Sequence, residues 1–190
     1  SLLKLLGGVE PVDKFSEIFF AAPMETQNAV LQLLSIPDKK NRIALLGLRG
    51  AGKSTLGKQA SAILDIPFIE LNDVVERLAA LPVSDIISLY GPDGYRKLEA
   101  DALTEVLAKH DRCILAVAGG IVTNRETYNR LINRFHTIWV QASPEDHMAR
   151  VRAQGDLRPM EGHVQVMDRL RDILKARKFD YGRADIHLNT

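Results

Sequence analysis

One cysteine, Cys113, is all that 190 residues contain, so no internal disulfide framework can form and a reducing cytosol is the expected setting. It lies in the apolar run CILAVA, where a small buried hydrophobe is expected rather than a nucleophile. Charge of one sign is lacking too. Lys and Arg number 25 against 24 Asp and Glu, a formal net charge of +1, which leaves no electrostatic footprint of a nucleic-acid surface. No long apolar run is present: the opening SLLKLLGGV is too short for a membrane span and lacks the layout of a signal peptide, so a cytoplasmic protein with no membrane partner is expected. Repeats and low-complexity segments are missing. His110, His136, His147, His163 and His187 show no metal-ligand spacing, which predicts bland roles for all of them. What remains, 46% hydrophobic and 26% charged, is an ordinary globular composition sized for one α/β domain and an extra segment.

That extra segment is residues 1–40. VDKFSEIFFAA and METQNAVLQLLS read as short amphipathic helices separated by Pro23, followed by the polar connector SIPDKKN. With no Met at position 1, the chain reads as a piece of something longer, and 1–40 as a helical linker. Phe15, Ile18, Phe19, Val30, Leu31 and Leu34 are too much apolar surface to leave in water, so packing on the domain or on a second copy is expected, preferably as a homodimer.

Residues 41–190 alternate between short apolar runs and helical periods. RIALLG, PFIEL, RCILAVAGG, HTIWVQA and ADIHLN read as strands; GKSTLGKQASAIL, NDVVERLAA, VSDIISLY, PDGYRKLEADALTEVLAKH, NRETYNRLINR, SPEDHMARVRA and HVQVMDRLRDILKARKFDY read as helices. Ser143 and Pro144 suit a helix cap and first turn. This alternation predicts an α/β domain built on a parallel sheet with right-handed crossovers.

Between the first strand and the first helix stands GLRGAGKST, which satisfies G-x-x-x-x-G-K-[ST] in the context that gives the pattern its mechanism. Gly47, Gly50, Ala51 and Gly52 can turn successive N–H groups inward onto phosphate oxygens, and the helix N-terminus adds partial positive charge. Lys53 is placed to bridge the outer phosphates, Ser54 to hold Mg²⁺, and Thr55 continues the site.

Several later stretches, in this order, resemble the shikimate kinases over roughly residues 42–188. Phe68-Ile-Glu70-Leu-Asn72 occupies the place of F-x-D-x-D, Tyr95-Arg96-Lys-Leu-Glu99 that of FR-x-x-E, and Ala118-Gly119-Gly120 that of a triple glycine. Arg158-Pro159-Met160 matches the lid motif and Arg177-Lys-Phe-Asp-Tyr181 a late R-x-x-x-Y. The resemblance implies a three-layer α/β/α P-loop fold of the nucleoside-monophosphate-kinase type, with a five-stranded parallel sheet and a lid, together with ATP or ADP with Mg²⁺ and a substrate-carboxylate clamp made by Arg96 and Arg177. It further implies Arg150 and Arg158 near the nucleotide, Gly119 and Gly120 in the substrate pocket, and Glu70 helping Ser54 with the metal.

Two departures stand out. Asn72 is neutral where the resemblance implies an acid that takes the substrate's proton, and loss of a general base costs about 10²–10⁴ in rate. Ala118 adds a Cβ where the family has glycine. The stretches GLRGAGKSTLG, FIELN, LYGPDGYRKLE, AGGIV and PEDHM…AQGDLRPM are also similar to the C-terminal domain of bacterial helix-turn-helix regulators of benzoate degradation, whose inducer is benzoyl-CoA. That likeness implies a catalytically degenerate sensor of a small-molecule or acyl-CoA effector, reaching DNA only through an N-terminal domain outside this sequence. The competing expectations are a working shikimate kinase and a nucleotide-gated dimerisation module.

Overall fold

The computed structural model describes residues 20–27, 39–153 and 163–190. Phe15, Ile18, Phe19, Val30, Leu31 and Leu34, and the lid residues Arg158, Pro159 and Met160, lie outside the described residues. The chain separates into two compact units, Ser1–Asp38 and Lys39–Thr190. In the first, Pro23 stands between two helical turns; its carbonyl accepts from the Gln27 amide at 3.0 Å, and Gln27 Nε2 donates to Ala22 O at 2.8 Å.

In the second unit, strands β1 (Asn41–Leu46), β2 (Phe68–Glu70), β3 (Arg112–Ala116), β4 (His136–Gln141) and β5 (Ile186–Asn189) form one parallel sheet in the order β2-β3-β1-β4-β5. Between them run α1 (Lys53–Leu64), α2 (Leu71–Ala79), α3 (Val83–Lys109), α4 (Arg125–Arg134), α5 (Pro144–Ala153) and α6 (His163–Tyr181). Period-two geometry sorts the apolar strand residues into two faces. Ala44, Leu46, Cys113, Leu115 and Val117 join the larger core with Leu71, Val75, Leu103, Tyr128 and Phe135, whereas Leu45, Ile114 and Val140 join Ala51 and Ile66 on the other side. Both faces are covered, as continuous apolar strands require. Cys113 is buried, and burial pushes its thiol up to about 11.

Local signals explain the boundaries. Asn124 caps α4 by accepting from the Thr127 amide at 3.1 Å, and Ser143 Oγ accepts from the Asp146 amide at 3.0 Å ahead of Pro144. The two helical periods expected on either side of Gly91 are present as two limbs, labelled together α3, separated by a kink at Gly91 (φ 68°, ψ 178°) just before Pro92. A buried Arg42 closes its far end, with Nε donating to His110 O at 2.6 Å and Nη2 to Leu107 O at 3.2 Å.

One boundary differs from expectation and bears on the site. Strand β2 ends at Glu70, so Leu71, expected to close the strand, opens α2 instead, and Asn72 stands in that helix's first turn, as the run NDVVERLAA predicts. The cause is packing: Leu71 and Val75, one helical turn apart, are both fully buried and pull the backbone into a helix directly after Glu70.

Candidate active site

The strand order places the site. Because β1 lies beside β3, the loop after β1 and the turn after β3 emerge side by side at the carboxyl end of the sheet. The loop is shaped by positive φ at Gly47 (135°), Gly50 (80°) and Gly52 (94°). Gly52 caps α1 without any side-chain bond, and no acid stands in that helix's first turn, so its N-terminal field is left for an anion. Lys53 Nζ lies across the loop, donating to Gly47 O at 2.8 Å and Leu48 O at 2.9 Å. Burial lowers its pKa from 10.5 to about 8, against an opposing pull from the Glu70 carboxylate nearby. Ser54 and Thr55 are exposed at the helix start, and Ala51 is fully buried beneath it.

Gly119 and Gly120 then decide how close the two halves of the site can come. A Cβ on Gly119 would stand 3.0 Å from Gly47 O and from Leu48 Cα, so the turn after β3 rests on the phosphate loop. At Gly120 it would stand 2.1 Å from Arg96 Nη2, so a guanidinium lies against the bare α-carbon. Arg177 Nη1 donates to Gly119 O at 3.0 Å, and Tyr181, one turn further along α6, donates its hydroxyl to the same oxygen at 2.5 Å. Arg96 and Arg177, 81 residues apart in number, therefore converge on one dipeptide next to the loop. Ala118 fits without left-handed backbone, and its carbonyl accepts from the Ile121 amide at 3.1 Å.

The wall beside Arg96 is a buried polar chain. Arg96 Nη1 pairs with Glu99 Oε2, and Tyr95 Oη lies 2.8 Å from Asn72 Oδ1 and 3.3 Å from Glu99 Oε1. Burial raises the Glu99 carboxyl, with Arg96 and Tyr95 opposing, and burial likewise holds the Tyr95 phenol well above its usual range. Asn72 is thus a hydrogen-bonded part of the wall.

On the other side of the loop, Arg150 Nη1 donates to Thr190 Oγ1 at 2.9 Å and approaches Ala51 O at 3.3 Å. His147, which sequence reading left without a role, is buried with Nδ1 3.0 Å from Arg49 O. No spacing rule finds such a residue, because its partner is a backbone carbonyl 98 positions away.

Ligand chemistry can be tested against these residues. A loop bent by left-handed glycines, a helix start without a side-chain cap and a desolvated Lys53 fit a polyphosphate. Among the described residues no cluster of three or more His, Cys, Asp and Glu could hold a metal by itself. That suits a Mg²⁺ site completed by phosphate oxygens and water, with Ser54 and Glu70 as the protein's share. Among the described residues no helix is long and apolar enough to cross a membrane.

A family model described as Shikimate kinase matches residues 49–190. The chain belongs to the shikimate kinase family. Its curated relatives include the shikimate kinase of Thermus thermophilus, 30% identical over 157 residues (83% of this chain and 85% of the relative). That of Francisella tularensis is 35% identical over 112 residues (59% and 64%). Among solved structures, shikimate kinase from Acinetobacter baumannii in complex with shikimate superposes with a TM-score of 0.71 at 25% identity, covering 80% of this chain and 85% of that one. The Bacteroides thetaiotaomicron enzyme gives 0.71 at 27%, covering 78% and 85%.

These likenesses overturn the expectation of a degenerate, benzoyl-CoA-responsive sensor domain: the matched relatives are kinases, and they offer no support for an acyl-CoA effector. The physical error lay in weighing Asn72 alone. Phosphoryl transfer depends chiefly on positioning and charge stabilisation, and the loop, Lys53, Glu70 and the paired arginines all remain.

Proposed function

We propose that this domain transfers the γ-phosphoryl group of ATP to a hydroxyl of a small carboxylic acid of the shikimate type. The observation that carries the proposal is the meeting of Arg96 and Arg177 at the Gly119–Gly120 turn, in contact with the phosphate loop. Two guanidinium groups beside a phosphate site suit an acceptor that brings its own carboxylate. Relatives named shikimate kinase support the same reading.

In this reading the loop amides of residues 47–52 and the start of α1 grip the phosphates, and Lys53 leaves Gly47 O and Leu48 O for the outer phosphate oxygens. Ser54 and Glu70 would be the protein's ligands to Mg²⁺, which would supply charge neutralisation to the phosphates. Arg96 and Arg177 hold the acceptor's carboxylate and so set its hydroxyl in line. In a loose transition state the bond from the γ-phosphorus to the departing ADP oxygen is largely broken before the bond to the acceptor oxygen forms, so the hydroxyl proton passes late to a phosphoryl oxygen, and an amide at position 72 slows the reaction without stopping it.

The test is ATP consumption with shikimate, read as ADP and phosphorylated product, beside Lys53→Ala and Asn72→Asp. Slow turnover that vanishes in Lys53→Ala is expected, about 10²–10⁴ below a relative carrying the acid. Product formation no higher than in Lys53→Ala would refute the proposal.

A further inference from the structure

Asn72 and Tyr95 form a unit whose consequence concerns what the pocket accepts. The Tyr95 hydroxyl has one proton and two acceptors in reach, Asn72 Oδ1 at 2.8 Å and Glu99 Oε1 at 3.3 Å. The shorter contact takes the proton, so the amide carbonyl is turned inward and occupied. The amide nitrogen then faces the other way. Among the described residues it has no hydrogen-bond partner, and no side-chain nitrogen or oxygen that is fully buried lacks one, so this N–H₂ group is open to a ligand.

Its neighbours are donors as well. Arg96 reaches the same wall through Glu99, and Arg177 approaches from α6 by way of Gly119. A carboxylate satisfies the arginines, and the amide requires a further acceptor oxygen. A carbonyl oxygen answers that requirement fully. A hydroxyl answers it only through its lone pair, and its proton is left without an acceptor at residue 72.

We propose that Tyr95 is a positioning residue that sets specificity through Asn72, by holding the amide with N–H₂ toward the substrate so that the pocket favours an acidic ligand with a hydrogen-bond acceptor at that point. The inference rests on the kinase reading for its ligand class. Tyr95→Phe removes the one group among the described residues that holds the carbonyl inward, frees the amide to rotate, and lets Oδ1 accept from a hydroxyl. A carboxylate at 72 alone would be held by the same phenol, because a hydrogen bond to the charged form lowers basicity. Asn72→Asp should therefore show its full effect only together with Tyr95→Phe.

The experiment is calorimetric binding, in the presence of a non-hydrolysable ATP analogue, of shikimate and of analogues in which one ring hydroxyl is a carbonyl. Parent, Tyr95→Phe and Asn72→Ala proteins are compared. The parent should bind one of the carbonyl analogues about three- to tenfold more tightly than shikimate, the worth of one hydrogen bond. Tyr95→Phe should erase or invert that preference, which mere loosening of the wall would not do. Asn72→Ala, which keeps the phenol, should erase it too. In turnover, the gain from Asn72→Asp should be several-fold larger in the Tyr95→Phe background than in the parent. A parent without the preference, a preference that survives both variants, or no binding of either compound would overturn the proposal. Turnover with no preference would sink this inference and leave the kinase reading standing; preference without turnover would do the reverse.

Discussion

His147 Nδ1 stands 3.0 Å from the carbonyl oxygen of Arg49, so the first turn of α5 holds the crown of the phosphate loop. A carbonyl can only accept, which makes Nδ1 the protonated nitrogen of a neutral ring. Burial lowers the ring's pKa from 6.5; the bond to Arg49 opposes this, Lys53 and Arg150 add to the lowering, and Asp146 opposes it weakly. A histidine depressed in the folded state stabilises the fold above its unfolded pKa, and that contribution is lost as pH falls from about 6.5 through the folded value. Thermal unfolding between pH 7.5 and 5 should show this loss in the parent and not in His147→Ala. The variant should also bind ATP more weakly by about 1–2 kcal/mol through the unanchored loop. Identical pH dependence in both proteins would remove His147 from the account.

Lys53 carries a second pH dependence. With its pKa near 8, it is partly neutral just above neutrality, whereas bound phosphates require the ammonium form. Nucleotide binding should therefore take up protons and weaken as pH rises past about 8. Calorimetry in two buffers of different ionisation enthalpy reads the uptake directly. Lys53→Met should abolish it and cost about 1.5–3 kcal/mol of affinity.

Gly119 and Gly120 should fail differently. Ala at 120 meets Arg96 Nη2, the far end of a flexible side chain, so the fold tolerates it and the guanidinium moves. The KM for the acid should rise about tenfold to a hundredfold while ATP binding holds, as expected for one displaced charge-assisted bond. Ala at 119 meets the backbone at Gly47 and Leu48, so nucleotide affinity and stability should fall together. Equal profiles for the two variants would contradict this geometry.

Asp185 ties β4 to the approach of β5, its Oδ2 accepting from the Thr137 amide at 2.7 Å and from Thr137 Oγ1 at 3.0 Å, with Lys39 Nζ at 2.7 Å. Burial pushes this carboxyl up, but the bonds from Lys39 and Thr137 outweigh it and hold it below 3.8. Its contribution is present above about pH 4 and fades as pH falls through the lowered value. Asp185→Ala should destabilise by about 1–3 kcal/mol at pH 7, through an unpaired amide on a buried residue. The gap between parent and variant should narrow below pH 3.8 in denaturant melts.

Much of the fold was legible because local and global signals agree. The strands CILAVA and RIALLG are apolar on both faces, and Ser143 with Pro144 announces its helix. The phosphate loop was legible for the same reason, as each glycine answers a backbone demand. Less legible was anything decided by packing across the sheet. The start of α2 at Leu71 depends on where that side chain is buried, and the partner of the Tyr95 hydroxyl depends on which acceptors stand around it. Read in one dimension, Asn72 is an acid lost. In three it is an amide with its carbonyl already taken, and only the second description leads to a test of ligand choice.

Cys113, silent in the chemistry, has a practical use. Its thiol sits in the core of β3 with a pKa pushed to about 11, so maleimides and iodoacetamides at neutral pH find almost no thiolate there. The chain is therefore already a background without a reactive thiol at neutral pH. Cysteines introduced at exposed Ser84 and Asp101, on either side of the break at Gly91, would take a donor and an acceptor dye without any compensating substitution. Energy transfer between them would report whether the two limbs of α3 change their angle when nucleotide or acid enters.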